Sequence, residues 1–123
     1  MVEREKERCF IAVLHGCNPK KLNDMQMVLF TINYSAKLMG VAPIKRVVHR
    51  FIPNGISVVL IIKESLMEID TYPEHASAIV HLRSCNMRSN VKAAFEYIKS
   101  KFSAREVEII FDGCISLVKK QTF

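Results

Sequence analysis

The sequence lacks the features that mark zinc-binding, secreted or membrane-spanning proteins. Its cysteines, Cys9, Cys17, Cys85 and Cys114, form no Cys-x-x-Cys pair and have no metal-ligand spacing to any histidine, which argues against a zinc site. The charged start of the chain is not followed by a signal-type apolar core, and no later run is long enough to span a bilayer. We therefore expect no metal, no membrane partner and a cytoplasmic protein with reduced thiols.

Length and charge limit the function classes further. The chain has 123 residues, 50% of them hydrophobic, so we expect one domain over residues 1–123, with a flexible N-terminus over residues 1–8. Lysine and arginine outnumber the acids 18 to 12, but the cations are scattered along the chain. Such scatter is typical of a solvated surface. A small nucleic-acid-binding domain has only this charge in its favour, and we expect no nucleic-acid partner.

A strand and a long helix are predicted near the start of the chain. The apolar run over residues 9–14 indicates a strand. Asn18 can cap a helix whose first turn accepts Pro19, and Gly40 supplies a left-handed stop. We therefore predict one helix over residues 19–39. Its buried stripe consists of apolar residues spaced by three and four, Leu22, Met25, Leu29, Ile32, Ala36 and Met39.

Three strands are predicted in the middle of the chain. Residues 44–51 mix apolar and basic residues, which suits a strand with one wet face. Residues 56–62 follow a turn signal and are almost entirely aliphatic, which is typical of a buried strand. Residues 77–84 alternate between apolar and polar positions and so indicate a half-buried strand.

A second helix and a terminal hairpin complete the predicted fold. Ser89 or Asn86 can cap the helix, and its apolar stripe consists of Val91, Ala94, Phe95, Ile98 and Phe102. Asp112-Gly113 is a hairpin signal, followed by a returning strand that ends at Val118. The order of elements predicts an α+β fold, a two-layer sandwich in which a largely antiparallel sheet carries two main helices on one face.

Polar residues gather around the central stretch, residues 51–74. Glu64 and Ser65 follow the aliphatic strand directly, and a second short segment returns Asp70 and Glu74 towards the same region. By itself this spacing indicates only a hairpin with polar residues at one end.

Several motifs of this region occur in a specific order. Residues 49–57 are H-R-F-I-P-N-G-I-S, residues 64–65 are E-S, residues 69–74 are I-D-T-Y-P-E, and Cys85 follows. They resemble, without insertion, the prokaryotic S-adenosylmethionine decarboxylase family, whose pattern is H-R-F-x-P-x-G-V-S, E-S-H, I-H-T-W-P-E and a later T-C. A weaker similarity extends over nearly the whole chain. The resemblance implies a pyruvoyl-dependent decarboxylase of S-adenosylmethionine in polyamine (spermidine) biosynthesis.

In the family that the chain resembles, the enzyme makes its own cofactor. The resemblance implies that the Ser65 hydroxyl attacks the carbonyl of Glu64 and converts the peptide link into an ester. Elimination and hydrolysis then leave a pyruvoyl group, derived from Ser65, at a new N-terminus. The ketone of this group forms a Schiff base with the substrate amine and accepts electrons as carbon dioxide leaves.

The resemblance also implies roles for four other residues. Ser57 matches a serine that assists processing by hydrogen bonding near the cleaved carbonyl. Cys85 matches a cysteine that returns a proton to the substrate carbon after decarboxylation. Phe51 matches an aromatic residue that stacks on adenine, and Glu74 matches a carboxylate that accepts hydrogen bonds from the ribose hydroxyls.

At several polar positions the chain departs from the family pattern. Asp70 stands where the family has the histidine that removes the α-proton from the ester, so this step falls to a carboxylate, which is a competent base when burial raises its pKa. Leu66 replaces the histidine after the cleavage serine, and Tyr72 replaces a tryptophan. His81 replaces an aspartate, and Cys9 stands where the family has the histidine of an N-terminal Gly-x-His.

These departures leave alternatives open. One is an unprocessed, inactive homologue that acts as a regulatory partner of an active enzyme. Another is a pyruvoyl decarboxylase of a basic amino acid, ornithine or arginine. The resemblance further implies a homodimer in which two sheets face each other and both protomers complete the sites.

Overall fold

Six strands and three helices make up residues 5–119, the part of the chain that the computed structural model describes. The strands are β1 (Lys6–His15), β2 (Pro43–Arg50), β3 (Ile56–Ile62), β4 (Ser65–Tyr72), β5 (Ser77–Ser84) and β6 (Glu106–Ser116). The helices are α1 (Pro19–Leu22), α2 (Met25–Met39) and α3 (Val91–Lys101), with a 3-10 turn at Pro73–His75. None of the helices in this part of the chain is long and apolar enough to cross a membrane.

The strands form one sheet in the order β2-β3-β4-β5-β1-β6. Every neighbouring pair is antiparallel. Helices α2 and α3 pack against each other and against one face of this sheet. The predicted α+β fold, an antiparallel sheet with two main helices on one face, is confirmed.

The core lies between the helices and alternate residues of the central strands. In β5, Ala78, Val80 and Leu82 are fully buried, whereas the residues between them are half exposed. Phe10 of β1 packs on Phe95 of α3, with ring centroids 4.7 Å apart. Burial of a large apolar side chain contributes about 1.5–3 kcal/mol. A slip of one residue would turn such side chains to the other face, so burial fixes the register.

Most of the predicted helix signals are confirmed. Asn18 accepts hydrogen bonds from the N–H groups of α1, and Gly40 ends α2 with a left-handed φ of 80°. The predicted stripe of α3 is buried throughout. The cap of α3, however, is Asn90 rather than Ser89 or Asn86, because those two residues belong to the turn that leads from β5 into the helix.

The single helix predicted over residues 19–39 is interrupted. Asp24 caps a new helix by accepting a hydrogen bond from the N–H of Met27 at 3.1 Å, and Asn23 lies in the break. The side chain of Asn23 accepts a hydrogen bond from the N–H of Gly55 at 3.0 Å. The break therefore places a polar side chain against the turn that follows β2.

The predicted hairpin at Asp112-Gly113 is wrong, because β6 continues through this dipeptide. Asp112 pairs with Phe10, and Gly113 pairs with Cys9. Arg8 of β1 fixes both residues: its Nη2 lies 2.6 Å from Asp112 Oδ1, and its Nη1 donates to the Gly113 carbonyl at 3.2 Å. A continuous ladder with β1 therefore outweighs the local preference for a turn.

Two other predictions are corrected at the edges of the sheet. The flexible N-terminus predicted over residues 1–8 is wrong from Lys6 onward, because β1 begins there; residues 1–4 lie outside the described residues. For β2 we predicted one solvent-exposed face and one buried face, which is also wrong. All residues of this edge strand are exposed except Val48, which is half buried. The helices cover the neighbouring strand β3 instead.

One face of the sheet, which we call the open face, carries no helix. In β3 the residues Ser57, Val59 and Ile61 lie on this face and are only partly buried or exposed, so the prediction of a buried strand holds only for the other face. Val47 of β2 and Phe111 of β6 also lie on the open face, with 52% and 40% of their surface exposed. The open face thus presents uncovered apolar side chains within residues 5–119.

Candidate active site

The Glu64–Ser65 link lies at the tight turn between β3 and β4. Ser65 is the first residue of β4, and Cys85 follows directly after the adjacent strand β5. The backbone N–H of Cys85 donates a hydrogen bond to the carbonyl oxygen of Glu64 at 3.1 Å. The predicted cleavage link and the predicted cysteine are therefore in direct contact.

A partly buried ion pair borders the same link. The Nε of Arg83 donates a hydrogen bond to the Ser65 hydroxyl oxygen at 3.0 Å and lies 3.3 Å from Oε2 of Glu7. The Glu7 side chain is only 8% exposed, and that of Arg83 is 33% exposed. Glu7 therefore restrains the guanidinium against the hydroxyl, since an arginine keeps its charge at any ordinary pH.

Ser57 and Asp70 face each other across β3 and β4 on the open face. The hydroxyl of Ser57 donates to Oδ1 of Asp70 at 2.5 Å. Glu68 lies two residues before Asp70 on the same face of β4. The hydrogen bond between these two carboxyl groups, with burial and the charge of Asp70, raises the pKa of Glu68 to about 7. Near neutral pH, Glu68 is therefore protonated in a large fraction of the molecules and donates a hydrogen bond to Asp70.

His81 lies across the strands from Glu68 and next to Cys9. Its Nε2 is 3.7 Å from the Cys9 sulfur. Burial and the charge of Arg83 lower the pKa of His81, and burial raises the pKa of the Cys9 thiol. At neutral pH the two groups are thus an uncharged imidazole and an uncharged thiol. Within residues 5–119, no third side chain joins such a pair to form a metal-binding group.

A cavity of about 330 Å³ opens beside Ser57. Phe51, Tyr72 and Glu74 line it together with Ser57. The ring of Phe51 is 47% exposed and contacts the edge of His49, with centroids 4.6 Å apart. An exposed aromatic face and a carboxylate thus border the same space, which suits a ligand with a flat ring and hydroxyl groups.

The turn that holds Phe51 is constrained on both sides. Gly55 has a φ of 107°, and a Cβ at this position would lie 3.1 Å from the Thr71 carbonyl oxygen. A side chain is therefore disfavoured by backbone conformation and by space. Arg50 donates to the backbone oxygen of Asn23 at 3.2 Å, which ties the turn to the break between α1 and α2.

The predicted site residues fall into two groups at opposite ends of the β3–β4 hairpin. The first group is Glu64, Ser65 and Cys85, and the second is Phe51, Ser57, Asp70 and Glu74. Ser65 and Asp70 are the first and sixth residues of β4, which corresponds to ~17 Å along the strand. A general base acts at ~3 Å, so one chain alone does not bring Asp70 to Ser65.

Two polar residues of the site were not among the predicted site residues. Glu68 could have been found from the sequence, because residues two apart on a strand share a face and Glu68 precedes Asp70 by two. Arg83 could not have been found in this way. Its contact with Ser65 depends on the pairing of β4 with β5, which a strand pattern does not specify.

Known proteins resemble the chain over most of its length. The family model described as S-adenosylmethionine decarboxylase matches residues 8–111. The chain is similar to the S-adenosylmethionine decarboxylase proenzyme of Pyrobaculum islandicum, with 35% identity over 80% of this chain and 79% of that protein. It is similar to S-adenosylmethionine decarboxylase proenzyme 2 of Halalkalibacterium halodurans, with 36% identity over 84% of this chain and 81% of that protein.

A solved structure shares the fold. The crystal structure of the adenosylmethionine decarboxylase from Aquifex aeolicus matches with a TM-score of 0.82, over 98% of this chain and 99% of that chain, at 20% sequence identity. This likeness concerns the fold, whereas the sequence matches extend over most of the chain and carry the relationship. The chain therefore belongs to the S-adenosylmethionine decarboxylase family.

Proposed function

We propose that the chain is a self-processing, pyruvoyl-dependent decarboxylase of S-adenosylmethionine that serves spermidine biosynthesis. The observation that carries the proposal is the contact at the Glu64–Ser65 link. The Glu64 carbonyl accepts the N–H of Cys85 at 3.1 Å, and the adjacent Ser65 hydroxyl is held by Arg83 at 3.0 Å. An electrophile polarised by a backbone donor thus stands beside an oriented nucleophile.

Processing begins when the Ser65 hydroxyl oxygen adds to the Glu64 carbonyl carbon. Negative charge then develops on the carbonyl oxygen, where the Cys85 N–H already donates. A fixed donor at such an oxygen is typically worth 10²–10³-fold in rate. The link between carbon and nitrogen breaks, the hydroxyl proton passes to the Ser65 nitrogen, and an ester joins the two residues.

Removal of the α-proton of the ester is assigned to Asp70 of a second protomer. Within one chain Asp70 is ~17 Å from Ser65 along β4. Asp70 lies on the open face, and the Ser65 hydroxyl is bound by Arg83, which lies on that same face, so we expect a facing copy to bring its Asp70 towards Ser65. The exposed apolar residues of that face, such as Val47 and Phe111, favour burial against a partner. We therefore propose a homodimer with its open faces in contact, in which Ser57 and Glu68 orient the Asp70 carboxylate.

Substrate binding is assigned to the cavity beside Ser57. Phe51 provides an aromatic face for adenine and attracts the sulfonium charge of S-adenosylmethionine. Glu74 provides a carboxylate that accepts hydrogen bonds from the ribose hydroxyls. Both residues line the same space of about 330 Å³, which is within the usual size range of small-molecule sites.

The pyruvoyl group derived from Ser65 supplies an electron sink for decarboxylation. The residues around the link fit its formation, as the contacts of Glu64 and Ser65 indicate. The thiol of Cys85 is assigned the return of a proton to the substrate carbon, since its backbone is already bound to the Glu64 carbonyl. All four cysteines are free, which supports the cytoplasmic location that we propose.

Intact mass spectrometry tests the proposal most directly. Freshly purified protein should yield two chains on a denaturing gel, and the C-terminal fragment should begin with a pyruvoyl group at position 65. The Ser65→Ala variant should remain one chain. Processed protein should then release labelled carbon dioxide from carboxyl-labelled S-adenosylmethionine in preference to ornithine or arginine.

Two results would overturn the proposal. A wild-type chain that stays intact on prolonged incubation, with native circular dichroism, would identify an unprocessed homologue. Faster release of carbon dioxide from ornithine or arginine would retain the pyruvoyl chemistry but replace the substrate.

A further inference from the structure

Arg83 makes a contact that the processing scheme above uses only to hold the Ser65 hydroxyl in place. Its Nε donates to the Ser65 hydroxyl oxygen at 3.0 Å, the atom that forms and later breaks the ester. Arg83 pairs with Leu66 in the ladder between β4 and β5, so its side chain reaches along the strand to the neighbouring Ser65. Glu7 restrains it there from β1, at 3.3 Å.

Such a donor affects the two stages of processing in opposite directions. A hydrogen bond to the oxygen of a nucleophile draws electron density away and does not help it to attack. The same hydrogen bond to the oxygen of a leaving group stabilises the charge that develops when the bond breaks. The geometry around Ser65 is therefore better suited to the elimination than to the attack.

We propose that Arg83 is the residue that stabilises the leaving carboxylate when the ester between Glu64 and Ser65 eliminates. The inference rests on the proposed self-processing and deepens it. In this step a base takes the α-proton of Ser65, and the bond between Cβ and Oγ breaks with its electron pair on Oγ. Oγ becomes an oxygen of the Glu64 carboxylate, which pairs with the Arg83 guanidinium. Water then hydrolyses the remaining enamine, after tautomerisation to the imine, to a ketone and ammonia.

Stabilisation of the leaving oxygen by Arg83 matters because Asp70, the proposed base of the elimination, is a carboxylate. Asp70 stands where the family pattern has histidine, and a carboxylate is by its chemistry a weaker base than an imidazole. A weaker base removes the α-proton less readily. A better leaving group lowers the barrier of the same elimination, so a cation at Oγ offsets part of the loss.

Three variants test the inference. Arg83→Gln removes the charge, Arg83→Lys retains it without the guanidinium geometry, and Arg46→Gln is a charge-matched control at an exposed position of β2. Each purified protein is incubated, and samples are denatured and treated briefly, near neutral pH, with or without hydroxylamine. Under these conditions the reagent cleaves esters much faster than the sensitive Asn54-Gly55 peptide bond, and cleavage at that bond is recognised by its different fragment masses. Intact masses then separate the peptide, the ester and the pyruvoyl chain. Circular dichroism checks the fold.

In Arg83→Gln we expect the pyruvoyl chain to form ~10²–10³-fold more slowly, with a larger fraction that only hydroxylamine cleaves. The C-terminal fragment that hydroxylamine releases from this ester should begin with an unmodified serine at position 65. Arg83→Lys should be intermediate, and Arg46→Gln should match the wild type. A further variant, Arg83→Ala, leaves room for a small cation, and millimolar guanidinium should accelerate its elimination, which a purely structural role of Arg83 would not produce.

Other outcomes overturn the inference. If Arg83→Gln forms the pyruvoyl chain at the wild-type rate, or stops as a folded peptide with no ester, Arg83 does not act in the elimination, while self-processing of the wild type would stand. If the wild type itself never cleaves, the proposed function and the inference fail together.

Discussion

Ser65 and Asp70 lie at opposite ends of β4, ~17 Å apart along the strand, although both belong to the site implied by the motifs. Asp70 is bound to Ser57 at 2.5 Å, whereas Ser65 is bound to Arg83 at 3.0 Å. Under the proposed function, each end of the hairpin thus carries one half of a processing site. Two chains packed through their open faces in opposite directions would complete both sites.

Complementation between chains tests this arrangement. Alone, Ser65→Ala chains should remain uncleaved, and Asp70→Asn chains should be cleaved only very slowly. When the two are mixed as heterodimers, the Asp70→Asn chain should be cleaved, because its own Ser65 meets the Asp70 of its partner. Tags of different mass on the two chains identify the product on a denaturing gel. Heterodimers that are seen by native mass spectrometry but stay uncleaved would contradict the arrangement.

Substitution of Asp70 should change the rate of processing in two directions. Asp70→Asn keeps an acceptor for the Ser57 hydroxyl but removes the base, so pyruvoyl formation should slow by ~10²–10⁴-fold. Asp70→His restores the family residue and should accelerate it, since imidazole is the stronger base. Timed intact-mass measurements give both rates. Equal rates in the wild type and Asp70→Asn would remove Asp70 from the mechanism.

The carboxyl pair should make stability depend on pH. The pKa of Glu68 is raised in the folded chain to about 7, mainly by its hydrogen bond with Asp70. A raised pKa stabilises the fold fully below the unfolded value of ~4.3, and this contribution is lost as the pH rises through the folded value. Between about pH 5 and about pH 8, the wild type should therefore lose roughly 1 kcal/mol more stability than Glu68→Gln, after allowance for solvent screening.

Urea unfolding at several pH values measures this difference. Glu106→Gln, at an exposed position of β6, is the matched control and should follow the wild type. The same slope in the wild type and in Glu68→Gln would show that the pair does not retain a proton near neutral pH.

Substitution of Cys85 should slow decarboxylation of the substrate but leave processing of the chain unchanged. It contacts the Glu64 carbonyl through its backbone N–H, which every non-proline residue retains. Cys85→Ala should therefore still form two chains at close to the wild-type rate but release carbon dioxide more slowly, by ~10²-fold or more for loss of a proton donor. If Cys85→Ala folds but is not cleaved, the thiol itself acts in processing.

Phe51 should contribute to substrate affinity. Phe51→Ala removes the aromatic face of the cavity, and stacking of a base on an aromatic side chain is worth ~1–3 kcal/mol. We expect KM for S-adenosylmethionine to rise by roughly 5–150-fold, with processing unchanged. Ile52→Ala is the control, since Ile52 is 94% exposed in the same turn and does not line the cavity. An unchanged KM in Phe51→Ala would place the adenine elsewhere.

Local patterns predicted those elements whose interactions are local. The Asn18 cap, the Gly40 stop and the alternation of β5 depend on residues a few positions apart, and all three are present in the structure. Asp112-Gly113 was predicted as a turn for the same local reason. Its conformation is decided by β1, whose Arg8 binds both residues from far away in the chain.

The motifs predicted which residues form the candidate site but not how they are grouped. The sequence by itself determined the family, the predicted cleavage link Glu64–Ser65 and the alternating core, because these follow from residue order and periodicity. Only the tertiary structure decided that Arg83 touches Ser65 and that Ser65 is remote from Asp70. Both facts depend on which strands are neighbours and in which register, and those are set by burial against distant helices rather than by adjacent residues.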